Sequence, residues 1–294
     1  MWLSLSLHYA KPLPNSMKGR LSQTKATVIF MKYIIDHDLH LHSKLSSCSR
    51  HPEQTTDALL DYAKQMGFRH ICLTDHFWDS TVDGASNWYK PQNYDHISQA
   101  LPLPTRDGIT FDFGCETELD KYTTLGISRE AMDNFAFIII PTNHLHMKGF
   151  TIDEELVSVE GRAKFFMERN HALLDMDLPF KKIGLAHFTG SLIAKNCEGG
   201  RDDIINAVSD TQYAEFFERV AEKGMGVELN TSVSDCSNES AMRPYRIALE
   251  RGCKFYFGSD AHTPSSLAGA LARFEAMAEA LNLTEDDKFP FVYR

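Results

Sequence analysis

The stretch Tyr33-Ile34-Ile35-Asp36-His37-Asp38-Leu39-His40-Leu41-His42 runs from a short apolar segment into a pair of histidines. Its apolar part, residues 33–39, is the first of seven β-prone runs; the others cover 70–74, 109–115, 136–142, 182–186, 226–230 and 255–258. Each is short and bounded by polar or glycine positions. Between them apolar residues recur at helical spacing. Leu59, Tyr62, Ala63 and Met66 mark one helix, with Thr55 or Thr56 as N-cap and Gly67 just past its end. Ala163, Phe166, Met167 and Leu174 mark a second, and Tyr213, Phe216, Phe217 and Val220, closed by Gly224, a third. The Ala- and Leu-rich segment 266–281 reads as the last, with Pro264 near its start. Runs alternating with helices predict parallel βα units, closed into an α/β barrel or laid out as an open doubly wound sheet. Polar, ligand-type residues follow nearly every run, which favours the barrel, where function collects at many strand ends.

The bulk properties narrow the class. A chain of 294 residues, 43% hydrophobic, buries one large core or at most two domains. The formal net charge of −10 argues against a nucleic-acid partner, which a basic face would attract. The six cysteines include no C-x-x-C pair, so scattered single thiols point to a reducing cytoplasm rather than a disulfide scaffold. No apolar stretch reaches the length of a membrane span, so no membrane partner is expected. Met1 to Leu7 has neither a charged start nor an A-x-A site, which argues against a signal peptide. Residues 1–30, with Pro12, Pro14, Asn15 and Gly19, read as a poorly ordered extension or a mis-assigned start, with Met17 and Met31 as alternative first residues. Residues 31–294 read as a single domain without linker or repeat.

In an extended strand His40 and His42 share a face, with Cα atoms about 7 Å apart, close enough to share a metal ion. Asp38, on the same face, is expected to orient one ring, while His37 faces away. The motif alone is weak. With 13 histidines in the chain, chance gives roughly half an H-x-H, and a second one, His144-x-His146, is present. The weight comes from recurrence. Later runs end in Thr74-Asp75-His76, Cys115-Glu116, Asn143-His144, Ala186-His187 and Ser259-Asp260-Ala261-His262. Mixed imidazole and carboxylate donors suit zinc, manganese or iron, and core packing gives no reason for such a series. His8, His70, His96 and His171 have bland loop, helix or strand-start readings, and His146 reads as a supporting or substrate-contacting residue.

These motifs, in this order over residues 33–275, resemble the PHP (polymerase and histidinol phosphatase) superfamily. The resemblance implies a distorted (β/α)7 TIM-like barrel carrying two or three divalent metal ions. Carried over, His40, His42, Glu116 and Asp260 surround one ion. Glu116 bridges to a second, held also by His144 and His187. His76 and His262 hold a third, which needs one more histidine after the H-x-H pair; His51 is the candidate. Such ions lower the pKa of a shared water to give hydroxide and stabilise phosphoryl transfer. The expected reaction is therefore hydrolysis of a small phosphorylated metabolite. Arg201 and Arg243, expected in the loops after the fifth and sixth runs, are candidates for holding phosphate oxygens. The segment Val227-Glu228-Leu229-Asn230-Thr231-Ser232, with Arg243-Pro244-Tyr245, resembles the histidinol-phosphatase branch more than the polymerase-associated one. Three other readings compete: an amidohydrolase-like C–N hydrolase, which would use a carboxylated lysine as bridge, a PHP nuclease, and a non-catalytic metal-stabilised module.

Overall fold

The structure, a computed structural model, describes residues 31–49, 51–233 and 235–291. Residues 1–30, set apart in the sequence reading, lie outside them. The strands in chain order are β1 (His37–Leu41), β2 (His70–Leu73), β3 (His76–Phe77), β4 (Thr110–Phe113), β5 (Cys115–Thr117), β6 (Ile138–Pro141), β7 (Ile183–Ala186), β8 (Gly226–Asn230) and β9 (Lys254–Gly258). All pairings between them are parallel, in the orders β1-β2-β4 and β3-β5-β6-β7-β8-β9. The expected run 109–115 is thus broken in two, and the run 70–74 is followed by a further short strand. β2 gives way to β3 across Thr74-Asp75, and β4 to β5 across Gly114. A Cβ at Gly114 would meet the Phe137 carbonyl oxygen at 2.5 Å and Cys72 Sγ at 2.8 Å, so the crossing admits only glycine. The last strand is tied to the first beyond its end. Asp260 N–H donates to the His40 carbonyl at 2.8 Å, and Leu41 and Ala261 form a parallel bridge.

The helices are α1 (Thr56–Met66), α2 (Tyr94–Ile97), α3 (Val159–Asp175), α4 (Arg201–Ala207), α5 (Asp210–Lys223), α6 (Glu239–Glu250), α7 (Pro264–Leu267) and α8 (Ala270–Ala280). Local chemistry sets their ends. Thr55 accepts from Ala58 N–H at the start of α1, and Gly67 closes it in the left-handed conformation. Ser209 and Gln212 cap the start of α5 reciprocally, and Gly224 closes it. The expected final helix is interrupted. Gly269, at φ +72°, separates α7 from α8.

Alternation along the strands sorts two cores. Leu41, Ile71, Ile138, Ile140, Leu185, Val227, Leu229 and Phe257 join the apolar mass that includes the helices. Leu39, Cys72, Phe137, Ile139, Ala186 and Tyr256 form a second, smaller cluster with Phe289 and Phe291. β1 itself covers 37–41 rather than 33–39, because residues 33–36 pair elsewhere: Tyr33 N–H donates to the Leu283 carbonyl and the Asp36 carbonyl accepts from Arg69 N–H. The register of β1 on β2 is irregular between Asp38 and Leu41. That irregularity breaks the expected sharing of one face by Asp38 and His40.

Candidate metal centre

The C-terminal ends of the strands gather most of the predicted ligands. Four overlapping groups have donor atoms within 4.8 Å of one another: His40, His42, Glu116 and Asp260; Glu116, His144 and His187; His42, His76 and His262; and His40, His187 and Glu228. His42 Nε2 lies 3.3 Å from Glu116 Oε2 and 3.1 Å from Asp260 Oδ1. His40 Nε2 lies 3.5 Å and 3.4 Å from the same two oxygens. His76 Nδ1 is 3.0 Å from Glu116 Oε2, and His187 Nε2 is 3.4 Å from Glu116 Oε1. Glu116, from β5, is thus common to both sides of the cluster. His187 and Asp260 hold left-handed backbone conformations, at φ +26° and +54°, which non-glycine residues adopt at a cost.

A further set of residues fixes each ring. Glu228 Oε1 accepts from His40 Nδ1 at 2.7 Å, and Glu228 Oε2 accepts from His187 N–H. A Cβ at Gly258 would collide with Glu228 Oε1, so that glycine makes room for the pair. Ser46 Oγ donates to Asp75 and accepts from His42 Nδ1 at 2.9 Å. Asn143 Oδ1 accepts from His187 Nδ1 at 2.9 Å. Glu118 accepts from His144 Nδ1 at 2.8 Å and from the buried Arg169 at 2.8 Å. With their Nδ1 protons so assigned, the rings turn bare Nε2 lone pairs inward. Those of His40 and His42 are 3.1 Å apart, a repulsive contact unless a cation lies beside them.

The donor set therefore fits divalent metal ions. Both oxygens of Glu116 and Nδ1 of His76 are buried without a hydrogen-bond partner, which is costly for bare polar atoms and normal for ligands. The titration behaviour agrees. Burial alone would lower His42, but Asp260 and Glu116 outweigh it and raise the ring to about 9. Burial would raise Glu116, yet His76 and His40 hold it well below the usual carboxylate range. A bound cation takes over the role of those protons. Burial raises Glu118 to about 7 in spite of Arg169, and burial with neighbouring His187 lowers His144 to about 3.

Three predicted residues lie elsewhere. His51 is exposed, accepts from Glu53 N–H, and belongs to none of the four groups. Arg243 is not in a loop. α6 begins at Glu239 and carries it, and its guanidinium donates to the carbonyls of Ile205 and Val208 and to Asp210. Arg201 opens α4 and pairs with Asp202. Neither arginine lines the cavity above the cluster. Asp38 also differs from expectation. It accepts from Ser259 N–H and Tyr62 Oη, not from a ring nitrogen, because the irregular register turns it away.

Sequence reasoning missed Glu228, Glu118, Asn143, Ser46 and Arg169 as supporting residues. Glu228 carried a signal, being an ionisable residue inside the apolar run 226–230. Glu118 lies two residues from Glu116, on the same strand parity. Arg169 sits mid-helix in α3, and only the tertiary fold brings it to Glu118.

Parallel βα architecture and a histidine–carboxylate cluster shared through one glutamate define a metal-binding α/β protein. The family model described as PHP domain matches residues 38–232, and the chain belongs to that family. Histidinol phosphate phosphatase from Lactococcus lactis, solved with zinc, L-histidinol and phosphate, is similar in fold: TM-score 0.55 and 15% identity, covering 86% of this chain and 98% of that one. PsfC from Pseudomonas syringae aligns at TM-score 0.39 and 19% identity, over 79% of this chain and 78% of that one. No curated protein matches the chain by sequence.

Proposed function

We propose that this chain is a metal-dependent phosphoesterase that hydrolyses a small phosphate monoester, on a (β/α)7 barrel whose ring is completed where β9 meets β1. The observation that carries the reading is Glu116, buried, without hydrogen bonds, and shared between ligand groups from β1, β6, β7 and β9 or the residues that follow them. In this reading His40, His42, Glu116 and Asp260 hold one ion, and Glu116, His144 and His187 a second. His76 and His262 hold a third, with the His42 ring, whose Nε2 serves the first ion, stacked beside His262 and His51 apart. Zinc, manganese and iron all suit these donors, and the similar Lactococcus enzyme was solved with zinc.

Bound ions would lower the pKa of water and neutralise charge on a phosphoryl group. The protein's own residues do the positioning. Glu228 spans His40 and the His187 backbone, so one carboxylate orients donors from two strands. Asn143 and Glu118 fix the rings of His187 and His144, whose planes stack at 21°. Such locked rings hold ligand geometry through a catalytic cycle. The shared ligand is a glutamate, and no lysine among the described residues lines the cavity, which counts against a carboxylated-lysine C–N hydrolase. No helix among the described residues is long and apolar enough to cross a membrane. The unpaired cysteines support a reducing, cytoplasmic setting.

Purified protein should contain two or three divalent ions per chain and release inorganic phosphate from histidinol phosphate or another phosphorylated metabolite. Metal-loaded protein that hydrolyses no phosphate monoester in a broad screen would refute this reading.

A further inference from the structure

Above the ligand cluster opens a cavity of about 490 Å3, with His76, Glu116, Asp260 and His262 on its floor. Its remaining wall is largely apolar. Trp88, Tyr89, Met147 and Leu192 line it, and no Lys or Arg among the described residues does. Among the described residues the carboxylates lining it, Glu116 and Asp260, already belong to the ligand groups. A charged group on the far half of a substrate therefore meets no Lys, Arg or spare carboxylate among the described lining residues. Trp88 is half-buried and stands edge-on to His76, with ring centroids 5.0 Å apart and planes at 69°, so it borders the floor directly. Tyr89 is itself fully buried, and its Oη and the Nδ1 of His146 are closed to solvent.

We propose that the alcohol half of the substrate is a flat, uncharged aromatic group, seated against Trp88 and Met147, which set specificity. The proposal rests on the phosphoesterase reading and deepens it.

The test compares metal-loaded protein on three primary alkyl phosphates of similar leaving-group chemistry: 2-phenylethyl phosphate, glycerol 1-phosphate and 3-phosphoglycerate. The expected kcat/KM for the phenylethyl ester exceeds both others by about tenfold or more, the range that apolar pocket contacts supply. In Trp88→Ala that selectivity ratio should fall by about tenfold. Met147→Ala should lower it by a smaller factor and serves if the tryptophan variant does not fold. Equal or faster turnover of glycerol phosphate or phosphoglycerate overturns the proposal and leaves the phosphoesterase reading standing. So does a ratio that neither variant moves. Phosphate release from none of the three, with metals bound, overturns the proposal, and the broad monoester screen then decides the phosphoesterase reading.

Discussion

The two ends of the same strands are built on opposite principles. At the start of β8, Gly226 packs against Phe289, within a cluster that includes Phe137, Ile139 and Phe291. At the other end, Gly258 yields its space to Glu228, and Glu228 holds His40. The first end is filled by side chains, with one hydroxyl, that of Tyr256 in the same cluster, left without a partner. The second leaves both oxygens of a buried glutamate and an imidazole nitrogen without partners. Packed interiors tolerate neither voids nor bare polar atoms, so the second end is complete only with something the chain does not encode. Variants at the two ends should accordingly fail in different ways.

The largest effect should come from Glu116→Gln. The amide keeps the volume but removes the charge shared by the ligand groups. The proposed phosphatase activity should drop by about 10³-fold or more, with metal content falling by at least one ion per chain while the circular dichroism spectrum is unchanged. Retention of full metal content would break the assignment of Glu116 as the shared ligand.

At the packed end Phe289→Ala should do the reverse. Removing a buried phenyl ring typically costs about 3–5 kcal/mol, readable as a lower denaturation midpoint. Activity of the metal-loaded protein at low temperature should stay within about twofold. If instead metal content fell with stability intact, the two ends would not be separable.

Glu228→Gln sits between these extremes. It weakens the orientation of His40 and His187 without deleting a ring, and supporting partners of this kind are worth about 10–100-fold in metal affinity. Competition with a chelator of known affinity measures it. Chelation of the wild-type protein gives a related reading. Ions that bind only the folded state stabilise it by about 2.7 kcal/mol at a hundred times Kd. Their removal should lower Tm, and Phe289→Ala should show the same metal-dependent increment on a lower baseline.

The sequence made the fold and most of the cluster legible for one physical reason. Parallel strands end where ligands are needed, so residues such as His76, His187 and Asp260 stand at a fixed point of a local pattern. The breaks at Thr74-Asp75 and Gly114 did not disturb that pattern, since the chain resumes in the same direction. What was not legible depends on contacts distant in sequence. Arg169 meets Glu118 across 51 residues and Glu228 meets His40 across 188, with no periodicity to announce either. Asp38 was misread because an irregular register overrode the strand's simple alternation. Arg243 was misplaced because Asn238 caps a helix there that the loop reading did not foresee.

The smallest effect separates a ligand from a loop residue. His51 follows the H-x-H pair, which made it the candidate to complete a third ion with His76 and His262. In the structure it is exposed and faces its own loop, while His42 stacks on His262 with centroids 4.2 Å apart. A surface side chain that makes no buried contact usually changes stability by less than about 0.5 kcal/mol when truncated. His51→Ala should therefore keep its full metal complement and its Tm. His262→Ala should lose an ion, because its ring stands over the cluster on the cavity floor. Elemental analysis of the two variants side by side decides the matter. Loss of an ion from His51→Ala would mean that this loop folds over the floor when metal is bound, extending the metal-completed end into a segment that otherwise faces solvent.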